Sequence, residues 1–258
     1  MTETALSATP RSVESHAEQR RRVRDEVIAA LRPLALPDTR FVDQIEHFIP
    51  AYPGSELLVD TLTDLPFWSG DGTVYATPDN NLEGVRTALI LEGRDLIQTI
   101  AVRLGFRHFA PGSVTAGFER LAGTLDGADL LSSPIDLDGI RALGPLDFVV
   151  SGCRAVNVDG VRFGKGHGYF DIEWGILSAL GVASQDTPIV VACHDVQVVD
   201  EELSASANDT IVDWIVTPTR VIEVKNDRTK PIGIDWDRLR ADQFASMPPV
   251  RALKAMGL

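Results

Sequence analysis

Hydrophobic positions near the start of the chain follow helical spacing. Val23, Val27, Ile28 and Leu31 recur on one side of a helical projection, and Pro33 follows them. Apolar residues at this spacing form one face of an α-helix, and proline cannot continue a helix. The sequence therefore predicts an amphipathic first helix that ends before Pro33.

Further along the chain, short apolar and β-branched runs alternate with helical stretches. Strands are predicted over 72–77, 95–100, 147–156, 188–193 and 214–224. Helices are predicted over 56–65, from the turn at 78–81 to about 92, over 172–180, and at the end of an irregular tail after 231. Nearly continuous apolar strands separated by helices are typical of a parallel sheet covered on both sides. The predicted fold class is α/β, with a largely parallel central sheet and helices on both faces.

The composition of the first residues differs from that of the rest of the chain. Residues 1–12 are rich in Thr, Ser, Ala and Pro without periodicity, so we predict a disordered leader there. Residues 13–258 are predicted to form a single domain, because α/β folds of this length often have one core.

Charge and hydropathy argue against several classes of partner. The formal net charge is −13, whereas sequence-independent binding of nucleic acid needs clusters of lysine and arginine. No apolar run approaches the roughly 20 residues that cross a bilayer, and the first residues lack the apolar segment of a secretion signal. We therefore expect no nucleic-acid partner, no membrane insertion and a cytoplasmic location. The oligomeric state is not predicted.

The chemistry of the chain concentrates in a glycine-rich run. Gly164, Gly166 and Gly168 alternate with Lys165 and His167, after a predicted strand and before a predicted helix. Glycines let backbone N–H groups approach an anion closely, and the N-terminus of a helix adds a partial positive charge. The run therefore predicts a site for a phosphorylated species.

Charged residues beside the run extend this prediction. Arg162 and Lys165 would donate charge-assisted hydrogen bonds to phosphate oxygens, and Asp171 would hold Mg²⁺ or cap the helix. The alternative is a structural tight turn in which Asp171 is only the N-cap. The spacing matches neither the Walker loop nor the dinucleotide fingerprint, so these motifs do not identify the ligand.

The first helix carries a basic run with two interpretations. Arg20, Arg21, Arg22 and Arg24 follow one another closely. They would form either a solvated face balanced by nearby acidic side chains or a clamp for an anion.

Two blocks of the sequence resemble one known family. The run from Arg162 to Asp171 is similar to the arginine-led, glycine-rich, Tyr-Asp signature of the 5-formyltetrahydrofolate cyclo-ligases, also called methenyltetrahydrofolate synthetases. Residues 194–199 and 208–219 resemble the family's second block, in which an aspartate-bearing loop precedes a final strand. The resemblance covers roughly residues 20–225 and implies a NagB/RpiA/CoA-transferase-like fold.

Within this family the sequence is most similar to the cyclo-ligase-like paralogues. Lys165 lies inside the glycine run, and the next helix opens with Asp-x-Glu, as in that branch. Cyclo-ligases usually have a lysine four residues before an arginine where this chain has Arg20 and Arg24. They also usually have an arginine after the Tyr-Asp pair, where this chain has Ile172 and Glu173. Glu173 would then replace a phosphate-facing cation.

The resemblance implies an ATP- and Mg²⁺-dependent ligase that converts 5-formyltetrahydrofolate to 5,10-methenyltetrahydrofolate, or acts on a related formyl or amide substrate. In the family reaction ATP phosphorylates the formyl oxygen on N5, the N10 amine attacks the activated carbon, and phosphate leaves. The alternative is a paralogue without this activity. It would act on another substrate, with a link to thiamin metabolism, or bind folate or nucleotide without catalysis.

The resemblance and the position of the motifs also imply residue roles. Catalysis is assigned to Arg162, Lys165 and Tyr169, and Mg²⁺ binding to Asp171. The ATP-binding residues are Arg20, Arg24, Gly164, Gly166, His167 and Gly168. The residues expected to contact the reduced folate or related amide are Ile49, Pro50, Tyr52 and His194, the last because it follows a predicted strand at its carboxyl end.

Overall fold

The computed structural model describes residues 14–101, 104–225 and 227–258. The predicted leader at 1–12 lies outside the described residues. Within those three ranges no helix combines the length and apolar character that crossing a bilayer would need.

Helices and strands alternate along most of the described chain. The helices are α1 (His16–Leu31), α2 (Leu57–Thr63), α3 (Glu83–Leu91), α4 (Glu119–Gly123), α5 (Leu125–Leu131), α6 (Leu137–Ala142), α7 (Tyr169–Ala179), α8 (Ala241–Ser246) and α9 (Pro248–Ala255). The strands are β1 (Thr73–Ala76), β2 (Leu96–Thr99), β3 (Phe106–Phe109), β4 (Ser133–Ile135), β5 (Leu146–Ser151), β6 (Ala155–Asn157), β7 (Arg162–Phe163), β8 (Ile189–Ala192), β9 (Val198–Val199), β10 (Trp214–Val216) and β11 (Val221–Glu223). Short 3₁₀ helices cover Asn80–Leu82 and Asp195–Gln197.

The main sheet is largely parallel, as predicted. Its strand order is β11-β10-β8-β5-β1-β2-β3-β4. The strands β10, β8, β5, β1 and β2 run parallel to their neighbours in this group. The strands β11 and β3 pair antiparallel with β10 and β2, and β4 pairs antiparallel with β3. The α/β fold class is therefore confirmed, with antiparallel strands at both edges.

Side chains of the central strands alternate between two apolar cores. Val74 and Phe148 belong to the core that includes α2 and α3, whereas Tyr75 and Val149 belong to the core that includes α6, α7 and α9. Successive side chains of a strand point to opposite faces of the sheet. The sheet is thus covered by helices on both faces, as the apolar strands predicted.

A small second sheet leads into the glycine turn. In this sheet β6 pairs antiparallel with β7 and parallel with β9. Val23 and Val27 of α1 pack in one cluster with Phe163 of β7, which confirms the predicted apolar face of the first helix. Ser15 and Glu18 form a reciprocal capping box at the start of α1. The first helix is therefore fixed against the sheet that precedes the turn.

The prediction of one strand over 147–156 is wrong, because the chain changes sheets within this range. The strand β5 ends at Ser151 and β6 begins at Ala155 in the second sheet. At the break, the Gly152 N–H donates to the Asp79 carboxylate at 2.9 Å, and the Gly152 carbonyl accepts from Arg162 at 2.9 Å. Both segments are buried, so the apolar pattern continues through the break and conceals it.

Two other predicted boundaries also differ from the structure. The segment 214–224 is a hairpin of β10 and β11. A turn that contains Pro218 separates the two strands, and in it the Thr217 hydroxyl accepts the Arg220 N–H at 3.1 Å. The helix predicted over 172–180 begins earlier, at Tyr169. This earlier start places Asp171 inside the first helical turn.

Candidate active site

A cavity of about 610 Å³ lies at the carboxyl ends of β1 and β2. Segments 77–80 and 99–101, which follow these two strands, line it together with residues from 162–171. Ligand sites of parallel sheets lie outside the carboxyl ends of the strands. The structure therefore brings the glycine turn to the edge of the sheet where a site is expected.

Two positions of the turn have backbone conformations that favour glycine. Gly166 has a φ of +104° and Gly168 a φ of +70°. Gly168 is the N-cap of α7, and the first N–H groups of a helix have no partner within it. The turn thus presents main-chain donors and the positive end of a helix dipole at the cavity.

Side chains from both ends of the chain hold the carbonyl groups of the turn. Arg24 donates from Nε to the Gly164 carbonyl at 2.9 Å. Gln243 donates from Nε2 to the His167 carbonyl at 3.0 Å. These bonds fix the Gly164 and His167 carbonyl groups. The N–H groups of the turn are then the atoms that can donate hydrogen bonds to an anion.

The basic face of α1 divides between the cavity and the surface. Arg20 and Arg24 line the cavity, and Arg20 pairs with Asp209 and lies 4.8 Å from the centroid of the Phe163 ring. Burial, followed by the charge of Arg20, lowers the pKa of Arg24. Arg22 instead pairs with acidic side chains outside the cavity. The arginines of the basic run therefore differ in position, with Arg20 and Arg24 at the cavity and Arg22 on the outer surface.

Arg162 and Lys165 also line the cavity. Arg162 donates from Nε and Nη2 to the Gly152 carbonyl at 3.1 and 2.9 Å, and its guanidinium lies 4.3 Å from the centroid of the Phe170 ring. Lys165 Nζ lies 3.9 Å from a carboxylate oxygen of Asp79. Since a guanidinium has five N–H donors and an ammonium three, both cations retain donors for a ligand.

Asp171 lines the cavity but does not cap its helix. It lies three residues after the N-cap Gly168, and its carboxylate accepts the Thr210 N–H at 3.0 Å. The alternative prediction that Asp171 is a plain N-cap is therefore wrong. Burial raises the pKa of Asp171, while Arg162 and the Thr210 N–H act in the opposite direction.

Glu173 is the most deeply buried acid of the cavity wall, and it lines the same cavity as the glycine run. Its carboxylate accepts the Thr99 hydroxyl at 2.7 Å, at the carboxyl end of β2. Burial raises the pKa of Glu173 to about 7, although the hydroxyls of Thr99 and Tyr75 lower it. Glu173 therefore places a carboxyl group in the cavity wall, held by the end of β2.

Two aromatic rings line the cavity at the end of the turn. His167 and Tyr169 stack with their ring centroids 5.1 Å apart and an interplanar angle of 22°. Burial, followed by the charges of Lys165, Arg240 and Arg24, lowers the pKa of His167. At neutral pH this imidazole is therefore a neutral ring that can donate or accept a hydrogen bond.

Only one of the four residues expected to contact the substrate lines the cavity. Ile49 lies in its wall, whereas Pro50, Tyr52 and His194 are not among the lining residues. Tyr52 is fully buried and meets the edge of His194, with ring centroids 4.9 Å apart. His194 Nδ1 accepts the Val196 N–H at 3.2 Å and so caps a 3₁₀ helix. The structure thus gives Tyr52 and His194 packing and capping contacts rather than a place at the cavity.

Sequence reasoning missed many of the residues that line the cavity. They are Arg40, Phe41, His47, Phe48, the segments 77–80 and 99–101, Leu125, Asp209, Arg240 and Gln243. The carboxyl ends of β1 and β2 were a usable signal for 77–80 and 99–101, because both strands had been predicted. No local pattern marks Arg240 or Gln243, which reach the cavity from the end of the chain.

The donor set at the cavity fits a magnesium ion bound partly by phosphate. Among the described residues, no group of three or more His, Cys, Asp or Glu side chains is arranged to hold a metal. Asp171 and Asp209 nevertheless line the same cavity beside the glycine turn. Mg²⁺ is usually held by one or two carboxylates with water and substrate phosphates. These residues therefore fit Mg²⁺ that arrives with a nucleotide.

Comparisons with known proteins identify the family of this chain. A model of the 5-formyltetrahydrofolate cyclo-ligase family matches residues 16–218. A methenyltetrahydrofolate synthase domain-containing protein of Homo sapiens is 36% identical over 239 residues, which are 90% of this chain and 61% of that protein. The Bos taurus protein of the same name is 34% identical over 219 residues, 83% of this chain and 57% of that protein. The chain thus spans about three-fifths of the length of these curated relatives.

A solved structure has a similar fold. The NMR structure of Aquifex aeolicus 5,10-methenyltetrahydrofolate synthetase superposes with a TM-score of 0.50 at 18% identity, over 85% of this chain and 99% of that one. At this level of identity the likeness concerns the fold. It agrees with the central sheet predicted from the sequence.

Proposed function

Because this chain belongs to the 5-formyltetrahydrofolate cyclo-ligase family, we propose that it is an ATP- and Mg²⁺-dependent ligase. Its substrate would be 5-formyltetrahydrofolate, converted to 5,10-methenyltetrahydrofolate, or a related formyl or amide compound. The observation that carries the proposal is the glycine turn at the cavity, with Arg24, Arg162 and Lys165 around its main-chain donors. Backbone donors and fixed cations at one place are what phosphoryl transfer needs.

The chemistry requires an oxygen to leave from an amide carbon. A formyl oxygen on N5 is a poor leaving group, and transfer of the ATP γ-phosphoryl group to it makes it a good one. Transfer of the phosphoryl group leaves ADP; the N10 nitrogen then bonds to the activated carbon and gives up its proton, the carbon–oxygen bond breaks, and phosphate leaves. Bringing these groups together supplies much of the rate enhancement in reactions of this kind.

The residues of the turn would bind and neutralise the nucleotide. N–H groups of 164–168 would donate to phosphate oxygens, and Arg162 and Lys165 would stabilise the charge on the transferred group. Arg20 and Arg24 would lie at the nucleotide end, and Tyr169 would add a hydroxyl donor. Mg²⁺, held by Asp171 beside Asp209, would offset phosphate charge when bound.

A flat ring of the substrate would bind to the aromatic wall. Phe41 stacks on Phe48 with centroids 6.0 Å apart and an interplanar angle of 13°, and it lies 5.7 Å from the His47 ring. These side chains and Ile49 line the cavity. Aromatic walls bind flat heterocycles by stacking, and a reduced folate has such a ring.

The test is direct. Purified protein is mixed with ATP, Mg²⁺ and 5-formyltetrahydrofolate, and absorbance is followed for the methenyl product, with EDTA and ATP-free reactions as controls. We expect product only in the complete mixture. Absence of product, together with no ATP-induced rise in melting temperature, would reject the ligase.

A second candidate is a paralogue that has lost this reaction. Ile172 and Glu173 replace the usual arginine region after the Tyr-Asp pair, and Glu173 places a carboxyl group in the cavity wall. Such a protein would act on another substrate, including one of thiamin metabolism, or bind folate or nucleotide only. Thermal stabilisation by a folate without turnover would favour it. For either candidate we propose a cytoplasmic location, which fractionation of cells producing the tagged protein would test.

A further inference from the structure

The C-terminal part of the chain reaches the candidate site from outside the region that the family model covers. The family match ends at residue 218, and the described chain continues to residue 258. Arg240 and Gln243 of this later segment line the same cavity as the glycine turn. Residues that the family pattern does not include therefore contribute to the site.

This segment is anchored to the rest of the fold on both sides of residue 240. Lys230 is buried, donates to the Gln185 and Thr187 carbonyls at 2.9 and 2.8 Å, and pairs with Asp213 at 2.7 Å. Farther along, Val250 of α9 packs in the core against α7. A buried ion pair on one side of residue 240 and apolar packing on the other restrict the positions its backbone can take.

A second set of contacts joins the segment to α7 itself. Trp174 donates from Nε1 to the Pro231 carbonyl at 2.7 Å, and the Gly233 N–H donates to the Ser178 hydroxyl at 3.0 Å. A Cβ on Gly175 would come within 2.7 Å of the Gly233 carbonyl, so the two backbones are in close contact. The segment therefore runs along the helix whose N-terminus faces the cavity.

Gln243 links this segment to the glycine turn. Its Nε2 donates to the His167 carbonyl at 3.0 Å, while its Oε1 accepts the Arg240 N–H at 3.2 Å. Gln243 is buried, so each of these bonds forms away from competing solvent. One side chain thus sets the position of both the turn and the backbone of Arg240.

Arg240 brings a further cation to the turn. Within the described part of the chain its ion pair uses Nε, 3.2 Å from the exposed carboxylate of Asp242. A pair through Nε leaves both Nη groups as donors. The charge of Arg240 also lowers the pKa of His167, together with burial and the charge of Lys165, so it acts on the same part of the cavity as the other cations of the turn.

We propose that the segment 230–246 completes the phosphate site. Arg240 would be a specificity-determining residue that binds a phosphate group of the nucleotide, and Gln243 a positioning residue that acts through the His167 carbonyl. The identity of the ligand as a nucleotide rests on the proposed function. A polyphosphate chain suits this place because Arg240, linked to the His167 carbonyl through Gln243, adds its donors to those of the turn.

The experiment compares binding of MgATP, inorganic tripolyphosphate and 5-formyltetrahydrofolate by calorimetry. The variants are Arg240→Ala, Arg240→Lys and the matched control Arg238→Ala, which removes an exposed arginine two residues away whose ion pair is with Asp235. We expect Arg240→Ala to weaken MgATP and tripolyphosphate about tenfold or more, as for a lost hydrogen bond to a charged group. Arg240→Lys should be intermediate, and Arg238→Ala should match the wild type.

The outcomes separate this inference from the proposed function. If the wild type binds MgATP and Arg240→Ala binds it equally well, only the inference fails. If Arg240→Ala weakens the folate and not the phosphates, the inference fails because the arginine serves the substrate. If the wild type binds neither MgATP nor tripolyphosphate, the inference and the ATP-dependent function fail together.

Gln243 needs a measurement that a general loss of stability would not reproduce. Gln243→Met keeps the size of the side chain and removes the bond to the His167 carbonyl. We expect faster amide hydrogen exchange at 164–168 and weaker tripolyphosphate binding, with unchanged exchange in β5. Unchanged exchange at the turn, or an equal increase in β5, would overturn the positioning role.

Discussion

Arg24 and Gly164 lie 140 positions apart in the sequence, and the Arg24 Nε donates to the Gly164 carbonyl at 2.9 Å. This bond connects the first helix to the start of the glycine turn. It also places the Arg24 guanidinium beside Gly166. A Cβ added to Gly166 would lie 3.5 Å from Nη1 of Arg24. The first helix is therefore part of the candidate site, although it precedes the turn by more than half of the chain.

Replacement of Arg24 should weaken nucleotide use more than folding. In the proposed site Arg24 also donates to a phosphate oxygen of ATP, and loss of a hydrogen bond to a charged group costs about 1.5–3 kcal/mol, so Arg24→Ala should raise the KM for ATP roughly tenfold or more. The melting temperature should change little, because Val23 and Val27 still hold α1 in place. Steady-state kinetics and a thermal melt measure the two effects.

Arg21→Ala is the matched control for Arg24. Arg21 is exposed on the same helix and is absent from the lining of the cavity. If both variants raise the KM equally, the effect comes from the net charge of the helix and not from the contact with the turn.

Substitution of Gly166 tests whether its backbone meets the ligand. Gly166→Ala introduces a Cβ at a φ of +104°, with an expected cost of about 1–2 kcal/mol in the free energy of unfolding. The added carbon should also obstruct the approach of an anion to the main-chain donors, and Gly166→Val should abolish binding. Tripolyphosphate titration measures the loss.

Gly181→Ala separates strain from obstruction. Gly181 has a φ of +76° and follows α7 outside the cavity. Its replacement should lower stability by a similar amount and leave tripolyphosphate binding intact. Equal binding by the wild type and both alanine variants would contradict the placement of the phosphate at the turn.

Substitution of His194 tests whether this residue caps a helix or contacts the substrate. His194→Ala loses the acceptor for the Val196 N–H and the ring contact with Tyr52. We expect a loss of about 1 kcal/mol in the free energy of unfolding, typical for an N-cap, with an unchanged KM for the substrate. His194→Asn, which retains a capping acceptor, should recover part of the stability. A raised KM in a variant of unchanged stability would show that His194 contacts the substrate.

The periodicity of apolar residues predicted the central strands and the helices on both faces because those elements are held by burial. The runs around Val74, Ile97, Val149 and Val190 are completely or almost completely buried, and each lies in a parallel strand. The break at Gly152 was not predictable in this way. It depends on polar contacts with residues distant in sequence, and the apolar pattern is the same on both sides.

The sequence predicted only those parts of the candidate site that have a local signal. The turn around Gly166 has a local signal, since glycine spacing reports backbone conformation directly. Arg240 lines the cavity because of the way the C-terminal segment packs. Tyr52 and His194 do not line it, and their rings contact each other. Tertiary contacts of this kind have no counterpart in residue spacing.

Glu173 should make the stability of the protein fall as the pH rises toward neutrality. Its pKa is about 7 in the folded chain, against an ordinary value of 4.5. The folded state therefore keeps a proton over a window in which the unfolded state has lost it. Since stability falls with pH wherever the folded state binds more protons, the free energy of unfolding should decline between about pH 4.5 and 7.

Glu173→Gln removes this proton and keeps an oxygen that can accept the Thr99 hydroxyl. The variant should match the wild type near pH 4 and exceed it above pH 7 by up to about 3 kcal/mol, measured by urea unfolding across the window. Glu202→Gln, at an exposed position, is the control and should follow the wild-type curve. Parallel curves for the wild type and Glu173→Gln would show that Glu173 ionises as an ordinary surface acid. A carboxyl group that is neutral below pH 7 carries no charge that could repel a phosphate bound in the same cavity.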